Sequence, residues 1–369
     1  MLALAVMVAI WWAQHEPGER VQVAAPAAPA AKAPTILASK VALVPQAPVR
    51  TADWVQSESD RAWCRLQPSE LPASDARTPE EIKQSLASNP ARKEVETESE
   101  RLRAAWAARL RASGDERSQA AADLVENTGE ARFHLMDLAR HSSDPVVYGW
   151  AMAVCKGSDC GLSARRWAQL DPGNARPWIW EADRARADGD PQALREAIYQ
   201  IGLTQRNEDY GRLWTQQVLG LAEAGEPGLQ MNVEVTMPIG TLAAWPYPTR
   251  GLNEYCVWAG AAVDPARRSV CQAAADALWN SAETVFDASL AEVVARRQAS
   301  ADPERWRQRH EELQALSATW IEWLSRAREQ DGEASGACAG LRALKVDAER
   351  RAAIGELAHL RQLHDKSPS

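Results

Sequence analysis

This 369-residue chain has six cysteines, and their number and spacing suit the formation of disulfide bonds. They are Cys64, Cys155, Cys160, Cys256, Cys271 and Cys338. Cys155 and Cys160 bracket the short loop KGSD between two helical patterns, so a bridge there would clip two helix ends together. Cys256 and Cys271 lie on either side of a predicted helix start, which places them at similar height in an antiparallel hairpin. A pair between Cys64 and Cys338 follows by elimination only.

Two other interpretations of these cysteines stay open. Free cysteine is often a small buried core residue, so six free thiols in a cytosolic protein are the main alternative. A metal site is disfavoured because no pair has CxxC spacing and no histidine lies near a cysteine in sequence. We therefore expect disulfides in an oxidising compartment, with no metal and no other cofactor.

The histidines do not form a recognisable site. The stretch HEELQ at 310–314 resembles a zinc-protease helix, but glutamine occupies the position of the second metal-binding histidine. His134 and His141 lie seven residues apart, and no third ligand stands out. His359 and His364 lie near the end of the last predicted helix, where a cation suits the helix dipole. We expect a solvated helix face at 310 and surface or capping roles for His134 and His141. The helix dipole accounts for the two C-terminal histidines, so no site is required there.

Catalytic motifs are equally scarce, and we assign no catalytic residue. The sequence has no G-x-S-x-G elbow, no G-x-x-x-x-G-K-[S/T] phosphate loop and no G-x-G-x-x-G after a strand. Glu98-Ser99 matches the catalytic dipeptide of lytic transglycosylases, but their Gly-Leu-Met-Gln stretch does not follow it. The 50 acidic residues leave an acid–base pair open. The 16 tryptophans could stack on glycans, but most lie on apolar helix stripes, which favours a core role.

The elements that would position any site are helices, one after another from about residue 78 onward. A capping box with proline at the first helical position occupies 78–81. An acidic cap followed by proline recurs at Asp144, Asp190, Asp264 and Asp302. Between these starts the apolar residues keep the three-and-four spacing of one helix face. The sequence therefore predicts an all-α fold.

One segment departs from this pattern. Residues 228–252 carry Pro238, Pro246 and Pro248, and Met231–Met237 alternates apolar and polar residues with period two. We predict an extended or loop break over 228–252. It would separate a helical array over 78–227 from a C-terminal helical region over 253–369.

The stretch 167–201 resembles a tetratricopeptide-type helical repeat. Pro172 lies at the position of that family's repeat boundary, Trp178 at its first-helix aromatic and Ala182 at its small packing position. Gly189 lies in the turn between the two helices. The resemblance implies an irregular, solenoid-like array of helix hairpins, because a single hairpin needs neighbours to cover both of its faces.

The same stretch departs from the family pattern at several positions. Glu181 stands where the family usually has leucine, Ala185 where it has a large aromatic residue, and Ala193 lies one residue early for the second-helix alanine. Trp178 and Trp180 point about 200° apart around a helix of 3.6 residues per turn. We therefore expect them to lie in different surroundings.

The N-terminus predicts a membrane tether. Residues 1–13 are uninterruptedly apolar, with no basic segment before them and no small-x-small cleavage site after them. Trp11 and Trp12 resemble an interfacial aromatic belt, so we predict an uncleaved anchor, with a buried helix of a soluble protein as the alternative. Residues 14–77 are predicted to be a Pro/Ala-rich linker and mostly irregular chain.

Composition limits the function. The chain is 46% hydrophobic and 25% charged, which is typical of a globular protein, and its net charge of −8 disfavours non-specific nucleic-acid binding. We predict a non-enzymatic interaction or scaffold module, anchored in the inner membrane with its body in the periplasm, that binds an unknown protein or peptide. The alternatives are an envelope enzyme acting on cell-wall glycan or peptide, and a secreted or cytoplasmic helical protein. The oligomeric state is open.

Overall fold

A computed structural model describes residues 63–64, 90–155, 160–258, 264–297, 302–330 and 338–366. Within these ranges the regular structure is helical and no strand forms, which confirms the all-α prediction. None of the described helices combines the length and the apolar character that crossing a bilayer requires. The predicted anchor at 1–13, most of the predicted linker at 14–77 and the predicted capping box at 78–81 lie outside the described residues.

Fifteen α-helices follow one another along the described chain. They are α1 (Pro90–Ala112), α2 (Glu116–Glu126), α3 (Gly129–His141), α4 (Pro145–Val154), α5 (Ala164–Leu170), α6 (Ala175–Ala187), α7 (Pro191–Ile201), α8 (Gly211–Leu219), α9 (Leu229–Ala243), α10 (Arg250–Asn253), α11 (Pro265–Asn280), α12 (Val285–Arg297), α13 (Pro303–Gln330), α14 (Leu341–Ile354) and α15 (Glu356–Lys366). A single π-helical turn, Glu254–Trp258, continues α10.

The predicted Asp-Pro helix starts are confirmed. The carboxylates of Asp144, Asp190 and Asp264 each accept a hydrogen bond from a first-turn backbone N–H of the following helix. Asp302 accepts one from the backbone N of Arg305 at 3.0 Å. Each bond satisfies a donor that the helix leaves free, and proline next to the cap has no N–H to satisfy.

The prediction of an extended segment over 228–252 is wrong for most of its length. Residues Leu229–Ala243 form α9, with Pro238 inside the helix, and Arg250–Asn253 form α10. The apolar positions Met231, Val233 and Val235 are buried, but so is the charged Glu234 between them. Because α9 packs against α1, α8 and α14, it is buried on several sides, and the period-two pattern does not reflect a strand.

The core divides into three apolar clusters. The first joins α1–α5, α8 and α9 to α14, the second joins α6 and α7 to α10–α13, and the third packs α12, α13 and α15 together. Tryptophan fills these clusters, as predicted. The largest fully buried side chains include Trp106, Trp150, Trp167, Trp214 and Trp306.

The prediction of disulfide bonding is confirmed. Cys155 pairs with Cys160 across the end of α4, with a Cα–Cα distance of 5.8 Å. The π-helical turn after α10 is joined to α11 by Cys256–Cys271 at 5.6 Å. The third bond, Cys64–Cys338 at 4.8 Å, attaches the short N-terminal piece 63–64 to the start of α14.

Candidate functional site

The loop 202–210 between α7 and α8 lies at the centre of a group of interacting polar side chains. It pairs with the turn before α6: the backbone N of Ala175 donates to the carbonyl of Arg206 at 2.7 Å. The backbone N groups of Gln205 and Arg206 both donate to the carbonyl of Gly173 at 3.1 Å. These bonds hold the loop against the turn between α5 and α6.

Asp171, just after α5, anchors one side of this loop. Its carboxylate accepts hydrogen bonds from the side chains of Arg206 and Tyr210, and from Nδ2 of Asn174 at 2.9 Å. Burial, together with the charge of Asp171, raises the pKa of Tyr210 well above its ordinary value. Tyr210 therefore stays protonated at physiological pH and acts as a donor to Asp171.

A buried ion pair lies on the other side of the loop. Arg176 of α6 donates to Oδ1 of Asp287 of α12 at 3.0 Å, and the two side chains are 4% and 1% exposed. The guanidinium lies over the Tyr247 ring, 3.9 Å from its centroid. Burial alone would lower the pKa of Arg176, but Tyr247, Asp287 and Asp209 raise it above its ordinary value, so the charge persists.

Tyr247 completes this pair. Its hydroxyl donates to Oδ1 of Asp287 at 2.6 Å, and the hydroxyl of Thr284 donates to Oδ2 at 2.8 Å. The backbone N of Thr284 also donates to Oδ2, at 3.3 Å. Asp287 thus receives one charged donor and three neutral ones, which offsets the desolvation of its charge. The arrangement joins α6, α12 and the non-helical residues 246–249, and its chemistry is that of a structural joint.

The edge of the cluster carries two carboxyl groups with raised pKa values. Burial raises the pKa of Glu208 and of Glu283, while nearby arginines partly oppose this. Arg212 lies 3.4 Å from Oε2 of Glu283, and Arg206 lies 4.0 Å from Oε1 of Glu208. Carboxyl groups that keep their proton closer to neutral pH are suited to general acid work.

A cavity of about 440 Å³, open to solvent on one side, lies between the residues that follow α7 and the C-terminal half of α11. It is lined by Gly202, Thr204, Gln205, Ala273, Asp276, Ala277 and Asn280. Asp276 is its carboxylate, and two arginines of α13 hold it, Arg305 at 2.9 Å and Arg309 at 3.2 Å. Arg309 also lies over the rings of two tryptophans of the second core cluster. The carboxylate is therefore neutralised by a rigid pair of cations.

Two exposed apolar side chains lie close in sequence to the residues that line this cavity. In sequence, Leu203 lies between two residues that line the cavity, and its side chain is 50% exposed. Tyr199 lies one helical turn before it on α7 and is 42% exposed. A contiguous apolar patch at the rim of a concave surface is typical of an interaction site, so we take these two side chains as candidates for one. No sequence motif marks these two residues, so the sequence alone did not identify them.

The residues singled out by the repeat resemblance lie in the α5–α7 region and outside the cavity lining. Ala182 is fully buried in the second core cluster, Pro172 is exposed, and Gly189 forms the α6–α7 turn with a φ of +67°. Trp178 packs against the second core cluster and Trp180 against the first. The two tryptophans therefore do lie in different surroundings, as their spacing predicts.

One departure from the repeat pattern, Glu181, has a structural reason, and the matching position Ala182 has one as well. Glu181 is buried, and Arg165 at 3.1 Å and Arg184 at 2.7 Å hold its carboxylate. Burial alone would raise the pKa of Glu181, but these arginines lower it below its ordinary value. Above Ala182, α10 lies so close that a Cβ on Gly251 would come within 2.3 Å of the Ala182 carbonyl oxygen.

The predicted roles of the histidines away from the C-terminus fit their contacts. His310 forms a hydrogen bond with Nε2 of Gln314, its partner in the near-zinc motif, at 2.9 Å. His134 contacts the carboxylate of Asp123 at 2.6 Å, and His141 contacts a carbonyl of its own helix. Among the described residues, no three His, Cys, Asp or Glu side chains are grouped so that they could hold a metal ion.

Comparison with known proteins leaves the family open. No family model matches the chain, and neither a curated protein nor a solved structure matches it.

Proposed function

We propose that this protein is a membrane-tethered envelope protein whose helical body binds a partner protein or peptide in the periplasm. The observation that carries the proposal is the exposed pair Tyr199 and Leu203 beside the cavity between α7 and α11. Three disulfides support an oxidising compartment, since such bonds are rare in the cytosol. The apolar segment 1–13 would supply the tether.

The partner's chemistry follows from the lining. Ala273 and Ala277 are small and lie one turn apart, so an incoming backbone can approach α11 closely. Gln205 and Asn280 offer side-chain amides that both donate and accept hydrogen bonds. Tyr199 would add apolar contact at one side. These features suit a peptide segment with one anchoring apolar side chain and backbone groups left free to bond.

Site-specific photo-crosslinking tests this proposal. A photo-reactive residue in place of Gln205, at the cavity, should give a specific crosslinked partner in intact cells of the native host. The same residue in place of Phe133, which is exposed on α3 away from the cavity lining, is the matched control. Equal crosslinking from both positions, or none from Gln205, would count against the cavity as the binding surface.

The compartment is tested separately. Non-reducing mass spectrometry of protein recovered from its native host should find the six cysteines in three disulfides. Six free thiols would overturn the envelope location and favour a cytosolic helical protein. Extraction with and without detergent would then report whether the tether holds the body to a membrane.

An enzyme acting on cell-wall glycan or peptide remains the second candidate. The observation in its favour is the pair of half-buried carboxyl groups of Glu208 and Glu283, whose pKa values burial raises. The full chain should then release soluble fragments from purified peptidoglycan. The double variant Glu208→Gln and Glu283→Gln should lose this activity, and Glu304→Gln on the surface of α13 should keep it. No release by the unmodified protein would remove this candidate.

A further inference from the structure

His359 of α15 lies in the interface between α15 and α14. The residue is 1% exposed, and Nε2 lies 2.9 Å from Oδ1 of Asp347. A carboxylate can only accept a hydrogen bond, so the ring proton belongs on Nε2. Nδ1 is then a bare acceptor, and it is buried with no hydrogen-bond partner in the described part of the chain.

The charges around His359 come mainly from α14. Asp347 also lies 2.7 Å from Nε of Arg351, and Arg351 lies 2.5 Å from the carboxylate of Glu356, the first residue of α15. The positive charges of Arg351 and Arg350 act on the ring and oppose the negative charge of Asp347. This face therefore holds one carboxylate and two guanidinium groups near the imidazole.

Other contacts attach α15 at its two ends. Glu356 accepts a hydrogen bond from the backbone N of Val285, at the start of α12, at 3.0 Å. On the α13 side, Arg361 pairs with Glu312 at 2.8 Å, and His364 contacts the hydroxyl of Thr319 at 2.9 Å. Leu357 and Leu360 fill the third core cluster between these contacts.

We propose that His359 is an acid-responsive latch for the C-terminal helix α15. Protonation places a second N–H at Nδ1, in a buried space that offers it no acceptor among the described residues. The new charge also lies close to Arg351 and Arg350. Both effects favour a state in which α15 separates from α14 and the imidazole reaches water. The latch stands on this geometry and does not depend on the proposed function.

The direction of the pH effect follows from burial. Burial lowers the pKa of His359, although Asp347 partly opposes this. Above about pH 6.5 the ring is neutral whether α15 is docked or free, so docking is independent of pH there. Below that value His359 takes up a proton more readily when α15 is undocked than when it is docked. Docking therefore weakens as the pH falls, until the pH passes the lower pKa of His359 in the docked state. Acid therefore releases α15, and neutral pH seats it.

Hydrogen exchange of the full chain tests the latch. After correction for the intrinsic pH dependence, protection of α15 should fall between pH 7.5 and pH 5.5, and by no more than about tenfold, because one proton is linked to undocking. Protection of α6 should stay constant over the same range. His359→Gln keeps an N–H donor for Asp347 but cannot titrate, so its α15 should lose this response.

A control on the same helix separates His359 from its neighbour. His364 is exposed, so His364→Gln should respond to acid like the unmodified protein. A response that disappears in His364→Gln, or one that persists in His359→Gln, overturns the proposal. If His359→Gln does not fold, the NMR chemical shifts of the imidazole nitrogens can be followed against pH in the unmodified protein. A midpoint for His359 at or above pH 6.5 would overturn the proposal.

Discussion

The contact between α10 and α6 makes a sharp prediction about Gly251. A Cβ at this position would lie 2.3 Å from the carbonyl oxygen of Ala182, 2.4 Å from its carbonyl carbon and 2.7 Å from the backbone N of Asp183. All three neighbours are backbone atoms, so no side-chain rotation relieves the clash. Gly251→Ala must push the two helices apart, by about 1 Å if ordinary van der Waals contact is to be restored.

The expected magnitude combines three effects. Overpacking of this kind costs about 1–3 kcal/mol. Separation of the helices also weakens the hydrogen bond from the backbone N of Gly251 to Oδ1 of Asp183, now 3.0 Å, which is worth about 1 kcal/mol. Alanine offsets about 0.5–1 kcal/mol of this through its higher helix propensity. We expect the free energy of unfolding to fall by about 2 kcal/mol.

Urea unfolding of the oxidised protein at pH 7.5, followed by tryptophan fluorescence and by circular dichroism, measures this change. The matched control is Gly240→Ala in α9, where an added Cβ meets nothing within 4 Å. That variant should be more stable than the unmodified protein by about 0.5–1 kcal/mol, since alanine favours the helix. The packing argument fails if Gly251→Ala is as stable as the unmodified protein, or if both variants are destabilised equally.

Three other changes test the polar joints and one disulfide by the same unfolding assay. Arg176→Met leaves the buried carboxylate of Asp287 without its cation, and should lower the free energy of unfolding by about 3–5 kcal/mol; a change below about 1 kcal/mol would refute the joint. Glu234→Gln places an amide NH2 against one of the two backbone N–H groups that the Glu234 carboxylate accepts from. It should lower the free energy of unfolding by about 1–3 kcal/mol, and no change would mean that water satisfies those donors. Replacing Cys256 and Cys271 by serine opens a loop of sequence separation 15 and should cost about 3 kcal/mol, and an unchanged urea midpoint would contradict this.

Local chemistry made the helix starts predictable. Aspartate followed by proline can satisfy the first turn of a helix by local contacts alone, and the four starts predicted after residue 140 do cap helices. The fifth such pair, Asp171-Pro172, follows the end of α5 instead. The opposite placement of Trp178 and Trp180 also follows from helix geometry alone. Each of these inferences needed only a few neighbouring residues.

The error over α9 has a different origin. Alternation of apolar and polar residues normally means one buried face, and Met231, Val233 and Val235 suggested a strand. In the folded chain Glu234 is buried with them, because backbone N–H groups of the segment after α8 bind its carboxylate. No periodicity reveals a buried charge whose partners lie outside the pattern.

The candidate surfaces depended on tertiary structure most of all. Arg176 and Asp287 are 111 residues apart in sequence, and the cavity brings residues after α7 against the C-terminal half of α11. The expectation that His359 is a cation near the end of the last helix is wrong for the same reason: the residue is buried near the start of α15, and it meets Asp347 only because α15 folds back on α14. The sequence by itself determined the all-α class, the Asp-Pro helix starts and the candidate disulfides, since these follow from short-range spacing and backbone hydrogen bonding. Only the tertiary structure decided which charges are buried and which apolar side chains stay exposed, because both depend on how distant helices pack.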